Sequence, residues 1–154
     1  EEVEWNALFF FMGLFIVVYG VEHSGLLGLL AKKLMNLTGG DPMITAFSTL
    51  WLSAGASAAI DNIPFVATMI PLVESMETSI GGAEALKPVW WSLALGACLG
   101  GNGSLIGAAA NVMVAGLAER SGTPISFRKF LAVGLPIMIL SVVIANIYLW
   151  LRYF

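Results

Sequence analysis

Charge is scarce in this chain. Only 11% of its 154 residues are Asp, Glu, Lys or Arg, against about 25% in an ordinary globular protein. The few basic residues form no long cluster and the net charge is -3, which speaks against a nucleic-acid surface and leaves no nucleic-acid partner to expect. A single cysteine, Cys98, excludes an internal disulfide and a cysteine metal cage. The motifs GxSxG, HExxH, the Walker loop and CxxC are all missing. An intramembrane enzyme would need a nucleophile with a base, or two facing aspartates; one deep aspartate and one badly placed histidine supply neither, so no catalytic residue is expected. The chain opens Glu1-Glu2-Val3-Glu4 without an initiating methionine, a basic stretch or a small-residue cleavage site. That is not a signal peptide, and it reads as the interior of something longer or a processed piece.

Apolar side chains are what the sequence has in excess: 58% of the residues, with a mean hydropathy of +0.89. A soluble domain of this size leaves too much surface wet to bury them. The expected solvent is a lipid bilayer.

A first apolar run, from Trp5 to about Gly20, suits a spanning helix over 5–24 with Trp5 and Tyr19 at the interfaces. Residues 25–38 carry Leu26, Leu27, Leu29, Leu30, Leu34 and Leu37 on one stripe with Lys32 and Lys33 opposite. That stretch is too short to span and fits an interfacial helix. Thr38-Gly39-Gly40 ends it, and Asp41-Pro42 restarts a helix as N-cap and first residue.

The segment 42–77 is too short for two spans, which need roughly 40 apolar residues plus a turn. Its centre is Ser57-Ala58-Ala59-Ile60-Asp61-Asn62-Ile63-Pro64, where a proline breaks the helix beside two polar residues. A re-entrant hairpin satisfies both length and polar tip, and such backbone persists at membrane depth only against protein or a wet cavity. A linker, 77–87, precedes a helix expected to start at Pro88. That span, 88–118, is interrupted at Gly100-Gly101-Asn102-Gly103-Ser104 and expected to resume at Leu105. A last span covers 126–152. The basic residues divide between the two sides, with Lys32, Lys33, Lys87 and Arg152 on one and Arg120, Arg128 and Lys129 on the other, so charge assigns no orientation.

Two breaks at membrane depth are the strongest signal. Discontinuous helices in secondary transporters bring helix ends together at the midplane, where free N–H groups favour an anion and free carbonyls a cation. Here the N-terminal ends are expected near Pro64 and Leu105, with Ser104 as an N-cap. Gly100, Gly101 and Gly103 allow close backbone approach to a ligand or an anion-binding nest; packing, as in Gly96 against Gly100, is the plain alternative. Asp61 suits a proton carrier or cation ligand, or a helix cap. Asn62 and Asn102 suit either ligand binding or satisfaction of broken backbone, and Asn111 is a second-tier candidate needing a polar partner. A Na+ site would draw on Asp61, Asn62 and Asn102. His23 and Trp90-Trp91 read as interfacial residues, while Thr68 and Ser53 can bond back to their own helix.

The stretch Ser57-Ala58-Ala59-Ile60-Asp61-Asn62-Ile63-Pro64-Phe65-Val66-Ala67-Thr68 resembles the ArsB/NhaD-type permeases of the ion transporter superfamily, which include arsenite permeases and citrate-transporter-like proteins. Gly100-Gly101-Asn102-Gly103-Ser104-Leu105-Ile106-Gly107-Ala108-Ala109-Ala110-Asn111-Val112 resembles that family's second motif, and Pro124-Ile125-Ser126-Phe127-Arg128-Lys129-Phe130 its tail. The resemblance implies a transporter of two inverted repeats, with this chain as the C-terminal repeat and an N-terminal repeat of the same permease as its partner. It also implies that Ser57, Asp61, Asn62, Asn102, Gly103, Ser104 and Asn111 line substrate and ion sites, and Gly101 joins them as a close-approach glycine.

The expectation is therefore an all-α membrane protein with spanning helices, one re-entrant hairpin and one discontinuous helix. Its expected work is half of an ion-coupled secondary transporter for an inorganic or organic anion, coupled to Na+ or H+ and using no cofactor. It is placed in the plasma (inner) membrane, with a homodimer among the expected assemblies. A sodium–proton antiporter with Asp61 as the shuttling group is the alternative within that class; a non-transporting membrane assembly subunit is the alternative outside it.

Overall fold

The structure, a computed structural model, describes residues 23–154 together with Phe9, Met12, Gly13, Ile16, Val17, Tyr19 and Gly20. The span expected over 5–24 lies largely outside the described residues. Among those described the chain is helical, with no strand. Helix α1 is Leu26–Thr38, α2 Pro42–Ala59, α3 Asn62–Glu74, α4 the single turn Glu77–Ile80, α5 Ala83–Gly100, α6 Ala109–Arg120 and α7 Phe127–Tyr153; a 3-10 turn, Gly101–Gly103, follows α5.

Local chemistry sets these ends. Gly39 closes α1 in the left-handed region at φ 65, and the Gly40 N–H donates back to the Met35 carbonyl at 3.1 Å, a closure that only glycine makes without strain. The Asp41 side chain accepts from the Ile44 N–H at 2.9 Å with Pro42 in the first turn, so α2 starts with both a cap and a preset φ. Asp61 does the same for α3, accepting from the Ile63 N–H at 3.1 Å. Pro64 falls in the first turn of α3, where its missing N–H costs nothing. Ser126 opens α7, accepting from the Lys129 N–H at 3.4 Å.

Two boundaries differ from the sequence expectation. The stretch 77–87 is not a linker: it contains α4, a glycine pair (Gly81 and Gly82) with positive φ, and the start of α5. Pro88 therefore sits inside α5, buried, instead of at its start. The second half-helix begins at Ala109, not Leu105, because the chain stays irregular from Ser104 to Ala108.

The centre of the molecule is α2 against α5. Leu50 meets Gly96 and Ala54 meets Gly100, so the two helices run parallel. A Cβ on Gly96 would stand 2.5 Å from the Leu50 carbonyl oxygen, and one on Gly100 would overlap the Ala54 backbone. Removing both side chains lets the backbones touch, the membrane solution to packing where lipid competes with apolar contact. Along the same helix α2 carries Thr45, Thr49, Ser53 and Ser57, all buried, one turn apart. Near the α2 start, Met35, Ala46, Val73, Met76, Val89 and Leu93 join α1, α3 and α5 in one apolar cluster. On the other flank Leu50 and Ala54 pack against Met138, Val142, Ala145 and Leu149 of α7. The edge-to-face pair Phe47–Phe154 and the 3.2 Å bond from Trp51 Nε1 to Asn146 Oδ1 make α7 antiparallel to α2.

Among the described residues α7 is the one helix long and apolar enough to cross a membrane, reaching about 40 Å. Val133, Ile137, Leu140, Ile144, Ile147 and Leu151 form an exposed stripe along it.

Candidate functional site

The C-terminal end of α2 and the interruption between α5 and α6 dock on each other. Ser57, fully buried, donates its hydroxyl to the Ala97 carbonyl at 2.6 Å. Ser104 donates to the Ala58 carbonyl from the other side. The second bond takes up a carbonyl at the C-terminal end of α2, while the first adds a second donor to the Ala97 carbonyl, which already accepts from the Gly101 N–H. Asn111 then ties the irregular segment to the turn before it: its Nδ2 donates to the Gly101 carbonyl at 2.9 Å and to the Ser104 carbonyl at 3.0 Å. That is the partner an amide in apolar surroundings requires.

Glycines allow this closeness. A Cβ on Gly107 would lie 2.9 Å from the Ser57 carbonyl oxygen and 2.7 Å from that of Gly101; one on Gly101 would lie 2.9 Å from the Gly107 carbonyl oxygen. Gly103 is closed in by Met138 and Ala58. Gly100, Gly101 and Gly107 thus approach the protein's own backbone, and Gly103 its side chains. Of the roles open to these glycines the nest is not formed, since Gly100 and Gly101 are right-handed helical and no positive φ occurs between Gly82 and Gly122.

Ser57, Gly101, Gly103, Ser104 and Asn111 are therefore brought together, with Gly107, Ala58 and Ala97 added through their backbones. Ser104 is not the N-cap of α6: that position is Ala108, which provides no side-chain bond. The N–H groups at the start of α6 consequently meet no capping side chain, although that of Asn111 donates to the Ala108 carbonyl at 3.0 Å, whereas those of α3 face the Asp61 carboxylate. The two half-helix ends are electrostatically unequal, one open to an anion and the other already supplied with one.

Asp61 and Asn62 are half-buried at the α2–α3 turn. Asp61 and Asn102 share no hydrogen bond among the described residues, and Asn102 is exposed on the far side of the 3-10 turn, bordering a cavity with Lys129, Phe130 and Ile137. No group of three His, Cys, Asp or Glu able to hold a metal occurs among the described residues.

Gly107, Gly134 and Met138 escaped the sequence reading. Gly107 opens a run of small residues, and Gly134 interrupts a run of large apolar ones; a Cβ on Gly134 would stand 2.6 Å from the Asn102 carbonyl oxygen. Thr68 bonds back to the Phe65 carbonyl at 2.7 Å as expected, but Ser53 does not: among the described residues its buried hydroxyl has no partner, nor has that of Ser92.

The profile of the citrate transporter family matches residues 1–96. The chain is 49% identical, over its whole length, to an uncharacterized transporter of Mycobacterium tuberculosis, of which it covers 36%. It is 44% identical over 99% of its length to a 46 kDa membrane protein of Mycobacterium leprae, again covering 36%. It is 41% identical over 97% of its length to the P protein of Sus scrofa, covering 18% of that protein. The chain thus spans about a third of the length of its mycobacterial relatives.

Proposed function

The chain belongs to the citrate transporter family and is an integral membrane protein, and on that premise we propose that it forms the C-terminal half of an ion-coupled secondary transporter for an anion, a carboxylate or an arsenite-type oxyanion. The observation that carries this reading is the docking of two helix breaks on each other through Ser57–Ala97 and Ser104–Ala58, with the α6 N-terminus left uncapped. Paired breaks of this kind place an anion at free N–H groups and a coupling cation at carbonyls and a carboxylate. The anion belongs at the start of α6, near Ser104 and Asn111. The coupling ion, Na+ or H+, belongs at Asp61 and Asn62.

In this reading α2 and α3 form a re-entrant hairpin. Helix α3 has 13 residues and reaches about 20 Å, short of the roughly 30 Å of hydrocarbon. The other half of the site comes from an N-terminal repeat of the same permease, which also covers α6. No residue of α6 is buried, and its Val112, Met113, Val114 and Leu117 are exposed. The setting is the plasma membrane, and the permease works as a homodimer.

The test is uptake of labelled carboxylate or arsenite by proteoliposomes carrying the intact permease, driven by a Na+ or a pH gradient. Gradient-driven uptake that depends on Ser104 and Asp61 is expected. No uptake of either substrate class under either gradient overturns the reading. Labelling of a cysteine at position 57 from the compartment opposite Asp41 and Gly81, in every transport state, overturns the hairpin.

A further inference from the structure

A cavity of about 470 Å³ lies between the first turns of α7 and the 3-10 turn. Its walls are Pro124, Ile125, Phe130, Val133 and Ile137, and Asn102 and Gly134 form its floor. Gly134 lets the turn pack against α7, since a Cβ there would stand 2.6 Å from the Asn102 carbonyl oxygen and 3.1 Å from the Phe130 ring. Lys129, in the first turn of α7, borders it, and Ile137 lies eight residues further along the helix, about 12 Å away.

We propose that this groove holds one anionic phospholipid, its phosphate at Lys129 and an acyl chain against Phe130, Val133 and Ile137. Two features select that occupant. Lys129 and its neighbour Arg128 form no ion pair among the described residues, and they sit where a spanning helix emerges, at headgroup level. Glu119 shares a second cleft with Lys129 without pairing to it. The walls below are apolar, so a small soluble anion would lose its hydration against Phe130 and Val133 with one ammonium in return. An amphiphile with a negative head meets both ends, as basic pockets between membrane helices do for anionic headgroups. The chain of such a lipid lies against the turn that carries Asn102. The inference concerns lipid retention and stands whether or not the transport reading holds.

The test is native mass spectrometry of the intact permease in detergent, titrated with phosphatidylglycerol or phosphatidylcholine. Preferential retention of phosphatidylglycerol is expected, falling about fivefold in Lys129→Gln. Val133→Trp, at a position 61% exposed and so tolerant of bulk, is expected to fill the groove and remove bound lipid of both kinds. Arg152→Gln, at the other end of α7, is expected to change nothing. Equal retention of the two lipids, unchanged binding in Lys129→Gln and Val133→Trp, or an equal loss in Arg152→Gln overturns the proposal. Displacement by millimolar inorganic phosphate overturns it too, assigning the site to a soluble anion.

Discussion

Asn111 reaches back across the interruption to Gly101, its Nδ2 donating to the Gly101 carbonyl at 2.9 Å. The same nitrogen donates to the Ser104 carbonyl at 3.0 Å, so one amide holds both ends of an irregular segment that has few bonds of its own. Each such bond contributes about 1 kcal/mol net, and a buried carbonyl left bare costs more. Asn111→Ala is expected to lower stability by about 2 kcal/mol. Asn111→Asp is expected to do worse, because a carboxylate sets oxygen against two carbonyl oxygens. Thermal unfolding of the intact permease in detergent checks the order; Asp tolerated better than Ala would show that the amide is not the donor.

Glycine substitutions should separate close approach from ordinary helix propensity. Gly100→Ala drives a Cβ into the Ala54 backbone, and neither helix can move without disturbing the buried seam. A loss of about 3 kcal/mol or failure to assemble is expected. Gly55 and Gly116 are also helical, and nothing lies within 4 Å of a Cβ there. Alanine at either is expected to be neutral or to stabilise by about 0.5–1 kcal/mol. Equal effects at Gly100 and Gly116 in the same unfolding assay would sink the account of the α2–α5 contact.

What could be read in the sequence was local chemistry. Asp41-Pro42 and Thr38-Gly39-Gly40 announce helix ends because capping and positive φ depend on a few adjacent residues. Gly96 and Gly100, one turn apart, announce a close helix contact, and the break at Asp61 lies beside the proline that signals it. The partners were not readable. Ser104 looks like an N-cap because it precedes an apolar run, yet its hydroxyl goes to Ala58, 46 residues away, and the helix waits until Ala109. Asn102 looks like a partner for Asp61 because both are polar at a break. The 3-10 turn points it instead toward α7, a rotation that no local spacing encodes. Backbone participants such as Ala97 and Gly107 carry no side-chain signal at all.

Two serines of the same buried stripe should behave oppositely. Ser57 donates to Ala97 at 2.6 Å, while Ser53, one turn earlier, has no partner among the described residues. Ser57→Ala is expected to cost about 1 kcal/mol by removing one buried hydrogen bond from the Ala97 carbonyl, which keeps the Gly101 N–H, and Ser53→Ala to be neutral or stabilising because it removes an unpaired hydroxyl. Equal losses at the two positions, measured by denaturation of the intact permease, would show that Ser53 has a partner in the membrane.

The last pair of variants separates the two roles open to Asp61. Its carboxylate accepts from the Ile63 N–H and so caps α3; in the transport reading it also handles the coupling ion. An asparagine at this position would keep an oxygen at the cap but lose the carboxylate, whereas an alanine would lose both. Asp61→Ala is therefore expected to lower stability by about 1 kcal/mol and Asp61→Asn to leave it near wild type. Both should lose the dependence of uptake on the driving ion, because neither offers a carboxylate to Na+ or to a proton. Only this combination, a stability split with a shared loss of coupling, requires a functional carboxylate. Normal ion dependence in Asp61→Asn would leave Asp61 a helix cap and move the coupling ion to the carbonyls of the docked breaks.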